Sequence, residues 1–165
     1  MVKVIDFADN NQVASWQAIN DVVMGGRSSS RLLPTEHGTA VFSGNVSFEN
    51  NGGFASVRCN SLAFSLDRAR GLSIRFAGDG KRYKLNLRTE ASLESINWQL
   101  RLAGTAGQWQ EQQFGWAEFK PTRHGREVPD APPLDPAAVI GVGLLIADRQ
   151  EGPFRLELAW IKTVD

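Results

Sequence analysis

The sequence predicts an all-β fold, a two-sheet sandwich or a barrel, on three observations. Apolar and polar residues alternate along many short stretches, glycine-rich turns separate those stretches, and no long run carries the 3.6-residue period of a helix. In residues 81–88, Tyr83, Leu85 and Leu87 fall on one side while Arg82, Lys84, Asn86 and Arg88 fall on the other, as a half-buried strand requires. The same period sets Leu72, Ile74 and Phe76 against Ser73 and Arg75, and Trp98, Leu100 and Leu102 against Asn97, Gln99 and Arg101. It also sets Phe154, Leu156, Leu158 and Trp160 against Arg155 and Glu157, so Trp98 and Trp160 are both expected in the core.

Further strands are expected at residues 2–7, 16–19, 27–33, 39–48, 53–59, 108–114 and 139–147. Asn50-Asn51-Gly52-Gly53, Gly78-Asp79-Gly80, the stretch from Gly104 to Gly107, and Gly152-Pro153 supply the turns between them. Gly78-Asp79-Gly80-Lys81-Arg82 suits a hairpin turn with a solvated basic face; a phosphate loop would need a helix after its glycines, and a strand follows. Residues 120–136 hold five of the seven prolines and read as a long surface excursion between sheet segments. Short helical turns are expected at 65–70 and 135–139. With no repeat or low-complexity tract, residues 1–165 are expected to form a single domain.

An apolar fraction of 42% and a charged fraction of 22% are ordinary for a globular chain. Lys plus Arg equals Asp plus Glu at 18 each, so no overall charge draws the chain to nucleic acid, and any charged site must be local. The longest apolar run, residues 139–147, contains two glycines and is far short of the roughly 20 residues of a spanning helix, so the chain is not expected to span a membrane. The start, MVKVIDFADNN, lacks the features of a secretion signal or transit peptide, and the expected location is the bacterial cytoplasm, unless the chain is a trimmed mature form. Cys59 is the only cysteine, which excludes an internal disulfide and a thiolate metal site and suits a small buried apolar group.

Catalytic constellations are hard to assemble. His37 and His124 have no neighbour at zinc-ligand spacing, and Ser28, Ser29 and Ser30 have no nucleophile-elbow motif. A carboxylate pair drawn from Asp21, Asp79, Glu111 and Asp148 is arithmetically available, but nothing singles one out. Asp21, Asp79 and Asp148 lie in loops where Asx turns use such residues, and a calcium site is the rival reading. Planar aromatics beside polar groups serve sugar rings and protein hot spots alike, and Trp109 and Trp116, with polar flanks, are the candidates for an exposed site.

Several strings in order carry a family resemblance. They are Trp16 with Asn20-Asp21-Val22-Val23-Met24-Gly25-Gly26-Arg27-Ser28, then Phe42-Ser43-Gly44-Asn45-Val46-Ser47, and Asn50-Asn51-Gly52-Gly53-Phe54-Ala55-Ser56-Val57-Arg58. Downstream stand Gly78-Asp79-Gly80 with Arg82-Tyr83, the loop from Phe119 to Gly125, and Ile140-Gly141 through Asp148-Arg149-Gln150 to Phe154. Together these resemble the complex I intermediate-associated protein 30 family over nearly the whole chain. The resemblance implies a jelly-roll β-sandwich of two antiparallel sheets, galactose-binding-like, without catalysis or cofactor. It implies a protein partner: respiratory complex I subunits or assembly intermediates held in a chaperone-like manner. As the alternative, the fold permits a carbohydrate or other small ligand.

The residues proposed to contact a partner or ligand are Asp21, Arg27, Arg58, Asp79, Arg82, Trp109, Trp116, Asp148 and Gln150. Either they converge on a concave site or they are spent on bonds within the fold; the second is expected for Asp21, Arg58 and Asp79, which bracket turns in this reading. In the stretch NDVVMGGRSSS, Asn20-Asp21 is expected to cap a turn, Val22 to Met24 to form an apolar plug, and Gly25-Gly26 to bend the chain into a strand.

Overall fold

Thirteen strands form two antiparallel sheets packed face to face as a jelly roll in the computed structural model, which describes residues 2–21, 25–60, 62, 65–92 and 94–165. The expected plug at Val22 to Met24 lies outside the described residues. The first sheet runs β3 (Ser29–Pro34), β4 (Ala40–Val46), β13 (Gly152–Val164), β6 (Gly71–Ala77) and β9 (Trp109–Gly115), with β1 (Lys3–Asp6) also paired to β13. The second runs β11 (Arg126–Glu127), β10 (Lys120–Arg123), β8 (Asn97–Leu102), β7 (Tyr83–Arg88), β12 (Gly141–Ile146), β5 (Ala55–Cys59) and β2 (Gln17–Ala18).

The apolar half of each alternating strand turns inward. Phe42, Ile74, Phe76, Leu156 and Leu158 of the first sheet and Val57, Leu85, Leu87, Val142 and Leu144 of the second are all buried in one cluster. Phe42 and Phe154 meet edge to face at 4.9 Å, the geometry in which one ring's positive edge faces the other's negative face. A five-residue helix, α1 (Asn10–Ala14), closes one corner; the Asp9 carboxylate accepts from Asn11 N–H at 2.9 Å and buries only Val13 behind it. Five residues are too few to display a helical period.

Three expectations are corrected. The glycine-rich stretch 78–82 is not a hairpin, because β6 and β7 belong to different sheets. It carries the chain across the sandwich, as do 50–53 between β4 and β5 and 104–107 between β8 and β9. Gly80 (φ +89°) and Gly107 (φ +75°) supply the left-handed backbone these crossings need, and Gly107 N–H donates to Gly78 C=O at 2.9 Å, tying two crossings together. The second correction is Trp160, which is not in the core. The β13 register slips between Leu158 and Trp160, so the extra residue, Ala159, inverts the alternation and Ile161 takes the buried position. Trp160 instead stands half-buried under the Lys162 ammonium, 4.0 Å from its ring. Third, the proline-rich excursion begins as sheet: β10 pairs with β8 and turns back into β11. The 135–139 turn is a 3-10 helix at Pro136–Ala138, whereas 65–70 holds a turn closed by Ala69 N–H on Leu66 C=O.

Candidate binding face

Most of the predicted site residues are occupied inside the fold. Asp21 has 0% exposure and accepts from Ser28 N–H (2.9 Å), Ser28 O–H (2.5 Å), Gly53 N–H (2.7 Å) and Phe54 N–H (3.3 Å). Burial pushes its pKa up, and these donated bonds more than offset that, holding the carboxyl below its ordinary 3.8. A Cβ on Gly26 or Gly52 would lie 2.4 or 2.5 Å from the carboxylate group, so glycines on both flanking turns make room for it. Ser28 O–H relays the link, its oxygen accepting from Ser47 N–H at 2.9 Å and joining the β3 and β4 ends.

Asp79 plays a similar part at the opposite crossing. It accepts from Tyr83 O–H at 2.9 Å, Lys81 N–H at 3.1 Å and Arg155 N–H at 2.8 Å. Burial first, and the Asp79 charge second, push the Tyr83 phenol pKa upward, so it stays a donor. Tyr83→Phe is expected to cost about 1.5–3 kcal/mol, the worth of a hydrogen bond to a charged acceptor, read as a lower urea midpoint with unchanged slope.

Arg82 and Gln150 clamp the ends of β7 and β13 together: Arg82 N–H donates to Gln150 Oε1 and Gln150 Nε2 donates back to Arg82 C=O, both at 2.8 Å. Arg82 Nη2 also reaches Asp148 C=O at 3.2 Å, while Asp148, at φ +61°, pairs with Lys84 at 3.3 Å. Asp21, Asp79 and Asp148 thus serve three separate networks, and among the described residues no three His, Cys, Asp or Glu side chains gather to hold a metal. Arg27 makes an exposed pair with Glu49 at 3.5 Å. Trp109, 39% exposed on the first sheet, lies under the Arg75 guanidinium at 5.1 Å.

Trp116 is half-buried, and its indole N–H donates to Ala69 C=O at 2.8 Å. With Trp98, Pro129, Pro133 and Leu134 it lines a cleft of about 590 Å³ beneath the proline-rich segment.

Arg58 departs from the expectation. It is the fourth residue of β5, not a turn residue, and among the described residues its half-buried guanidinium has no ion pair or hydrogen bond. Burial lowers its pKa, the mark of a cation partly stripped of water. The register puts it in a row that crosses the second sheet on its outward face: Gln17, Arg58, Gly143, Asn86, Gln99 and Lys120 stand directly opposite one another on neighbouring strands. Gly143 leaves a gap in the row; a Cβ there would touch Arg58 Cβ at 3.5 Å and Asn86 Cβ at 3.7 Å.

Beside this gap Asn86 and Gln99 are only 9% exposed, and Asn86 Oδ1 is buried with no hydrogen-bond partner among the described residues. Such an orphan costs about 1–3 kcal/mol unless something outside the fold satisfies it. Arg88, two residues along β7, shows the contrast, since it spends its donors on the Glu90 and Ser92 carbonyls and Ser95 Oγ. Sequence reasoning placed Asn86 and Gln99 on the polar sides of their strands but missed Gln17, Gly143 and Lys120, because the row exists only through the long-range strand order.

Residues 5–158 match the family described as Complex I intermediate-associated protein 30. The chain belongs to that family. A Caenorhabditis elegans relative named probable complex I intermediate-associated protein 30, mitochondrial, is 29% identical over 82% of this chain and 46% of its own length. A Neurospora crassa relative named complex I intermediate-associated protein 30, mitochondrial, is 30% identical over 52% of this chain and 31% of its own. The family chain described here therefore spans about half the length, or less, of these curated relatives. Among solved structures, a family 11 carbohydrate-binding module from Clostridium thermocellum, in complex with a β-1,3-1,4-mixed-linked tetrasaccharide, superposes with TM-score 0.68 at 14% identity, covering 99% of this chain and 96% of that one. A family 29 carbohydrate-binding module gives TM-score 0.52 at 8% identity, covering 98% and 90%. At such identities the likeness is one of fold. No described helix is long and apolar enough to cross a membrane.

Proposed function

We propose that the chain is a single-domain, non-enzymatic interaction module of the complex I intermediate-associated type, which holds a partner protein in a partly assembled state by the outward face of its second sheet. One observation carries this reading: among the described residues, the row around Gly143 keeps a partly dehydrated Arg58 without a partner across the gap from an orphaned Asn86 oxygen. Family membership supports a respiratory-chain assembly intermediate as the partner. The non-enzymatic reading draws support from the residues themselves, for the Asp21–Ser28 pair is buried in structure and His124 pairs with exposed Glu94.

A carbohydrate-binding role draws on the fold likeness alone, and the row offers no aromatic ring for a sugar to stack on. The test is affinity purification of tagged protein from its native cell with identification of co-purifying chains. Wild type is expected to recover respiratory-chain subunits, and an Arg58→Gln, Asn86→Ala variant of unchanged melting temperature to lose them. Recovery undiminished by the double variant would overturn the reading.

A further inference from the structure

We infer that the face around Gly143 recognises an extended acidic peptide segment, a carboxylate seated on Arg58 and a main-chain amide on Asn86; the inference rests on the binding face proposed above. The chain as a whole is neutral, with 18 cations and 18 anions, yet this face is locally cationic. Its central row carries Arg58 and Lys120 with amides between them and no carboxylate. The adjoining outward row, Ser56, Leu145, Lys84 and Arg101, adds two cations, of which, among the described residues, only Lys84 has a paired acid, Asp148.

Arg58 supplies a planar fork that matches a carboxylate in two parallel bonds, and its partial dehydration strengthens such a pair. Asn86 Oδ1 needs a donor, which an ionised carboxylate lacks but a peptide N–H provides. From Arg58 to Lys120 the row crosses four strand spacings of ~4.8 Å, about 19 Å, the length of some six extended residues at ~3.3 Å each. The gap at Gly143 lets the ligand backbone lie close to the sheet between the two flanking side chains.

The experiment uses the whole chain and three probes: acetyl-hexaglutamate amide, its hexaglutamine counterpart, and a hexagalacturonate that carries the same carboxylates on sugar. Calorimetry at low salt is expected to give saturable hexaglutamate binding, at least tenfold weaker for hexaglutamine and for hexagalacturonate. Arg58→Gln is expected to weaken hexaglutamate at least tenfold, whereas Arg75→Gln on the other sheet changes it less than twofold. Equal binding of hexaglutamine, preference for the galacturonate, or an Arg75→Gln loss as large as that of Arg58→Gln would each overturn the inference. If native-cell capture depends on Arg58 and Asn86 but hexaglutamate does not bind, the acidic-peptide inference alone fails; if capture ignores both residues, the binding face itself fails.

Discussion

Asp21→Ala will destabilise the protein by about 3–5 kcal/mol, because three backbone N–H groups and the Ser28 hydroxyl lose one shared, buried acceptor. At the usual scale for a domain of this size, that is a fall of roughly 6–20 °C in melting temperature, read by calorimetry. Asp21→Asn keeps the shape but offers one acceptor oxygen and a misplaced donor, and will recover only part of the loss.

The pH dependence follows from the direction of the shift. The Asp21 pKa is lower folded than its ordinary 3.8, so its contribution is fully present above 3.8 and drains away as pH falls below 3.8 through the folded value. Chemical denaturation from pH 5 down to pH 2 is therefore expected to show a steeper acid loss in wild type than in Asp21→Asn. Parallel curves would mean the carboxylate does not titrate with unfolding. Gly26→Ala and Gly52→Ala probe the same site from outside, since each new Cβ collides with the carboxylate group.

Gly143→Val is the counterpart at the proposed binding face, with the opposite division between stability and function. A Cβ there meets only ordinary contacts, 3.4 Å or more from its neighbours, and valine suits a central strand better than glycine does. Unfolding is expected to change by less than about 1 kcal/mol, in either direction. Partner capture is expected to drop at least tenfold, because the isopropyl group fills the gap between Arg58 and Asn86. Retained capture at unchanged stability would show that nothing needs that gap; a large stability loss would show that the glycine serves packing.

What the sequence disclosed was set by the range of the forces involved. Alternation is local, so Tyr83-Leu85-Leu87 and Leu72-Ile74-Phe76 identified their strands and inward faces directly. Turn chemistry is local too, so the glycines at 52–53 and 78–80 marked breaks, but a glycine-rich break does not say whether the next strand returns beside the last or crosses to the other layer. Trp160 failed for a related reason: one inserted residue in β13 inverts every later side chain, and no residue type announces it. Asp21 was visible as a turn carboxylate, while its four donors lie 7 to 33 residues away. Arg58, though inside the expected strand 53–59, read as one of the charges that bracket turns. Only the order β5, β12, β7, β8 gives it Gly143, Asn86 and Gln99 as neighbours.

The placement of β13 bears on how the molecule comes into being. This strand, the last of the thirteen, lies in the middle of the first sheet, with β4 along its first half, β1 along its second, and β6 along the opposite edge from Glu157 onward. Until it emerges from the ribosome, β4 and β6 have no common neighbour, and the inward faces of that layer have no centre to close on. The second layer does not wait in the same way, for β5, β7, β8 and β12 precede β13 in the chain and pair without it. Synthesis thus passes through a half-built sandwich, its first layer open until β13 joins it.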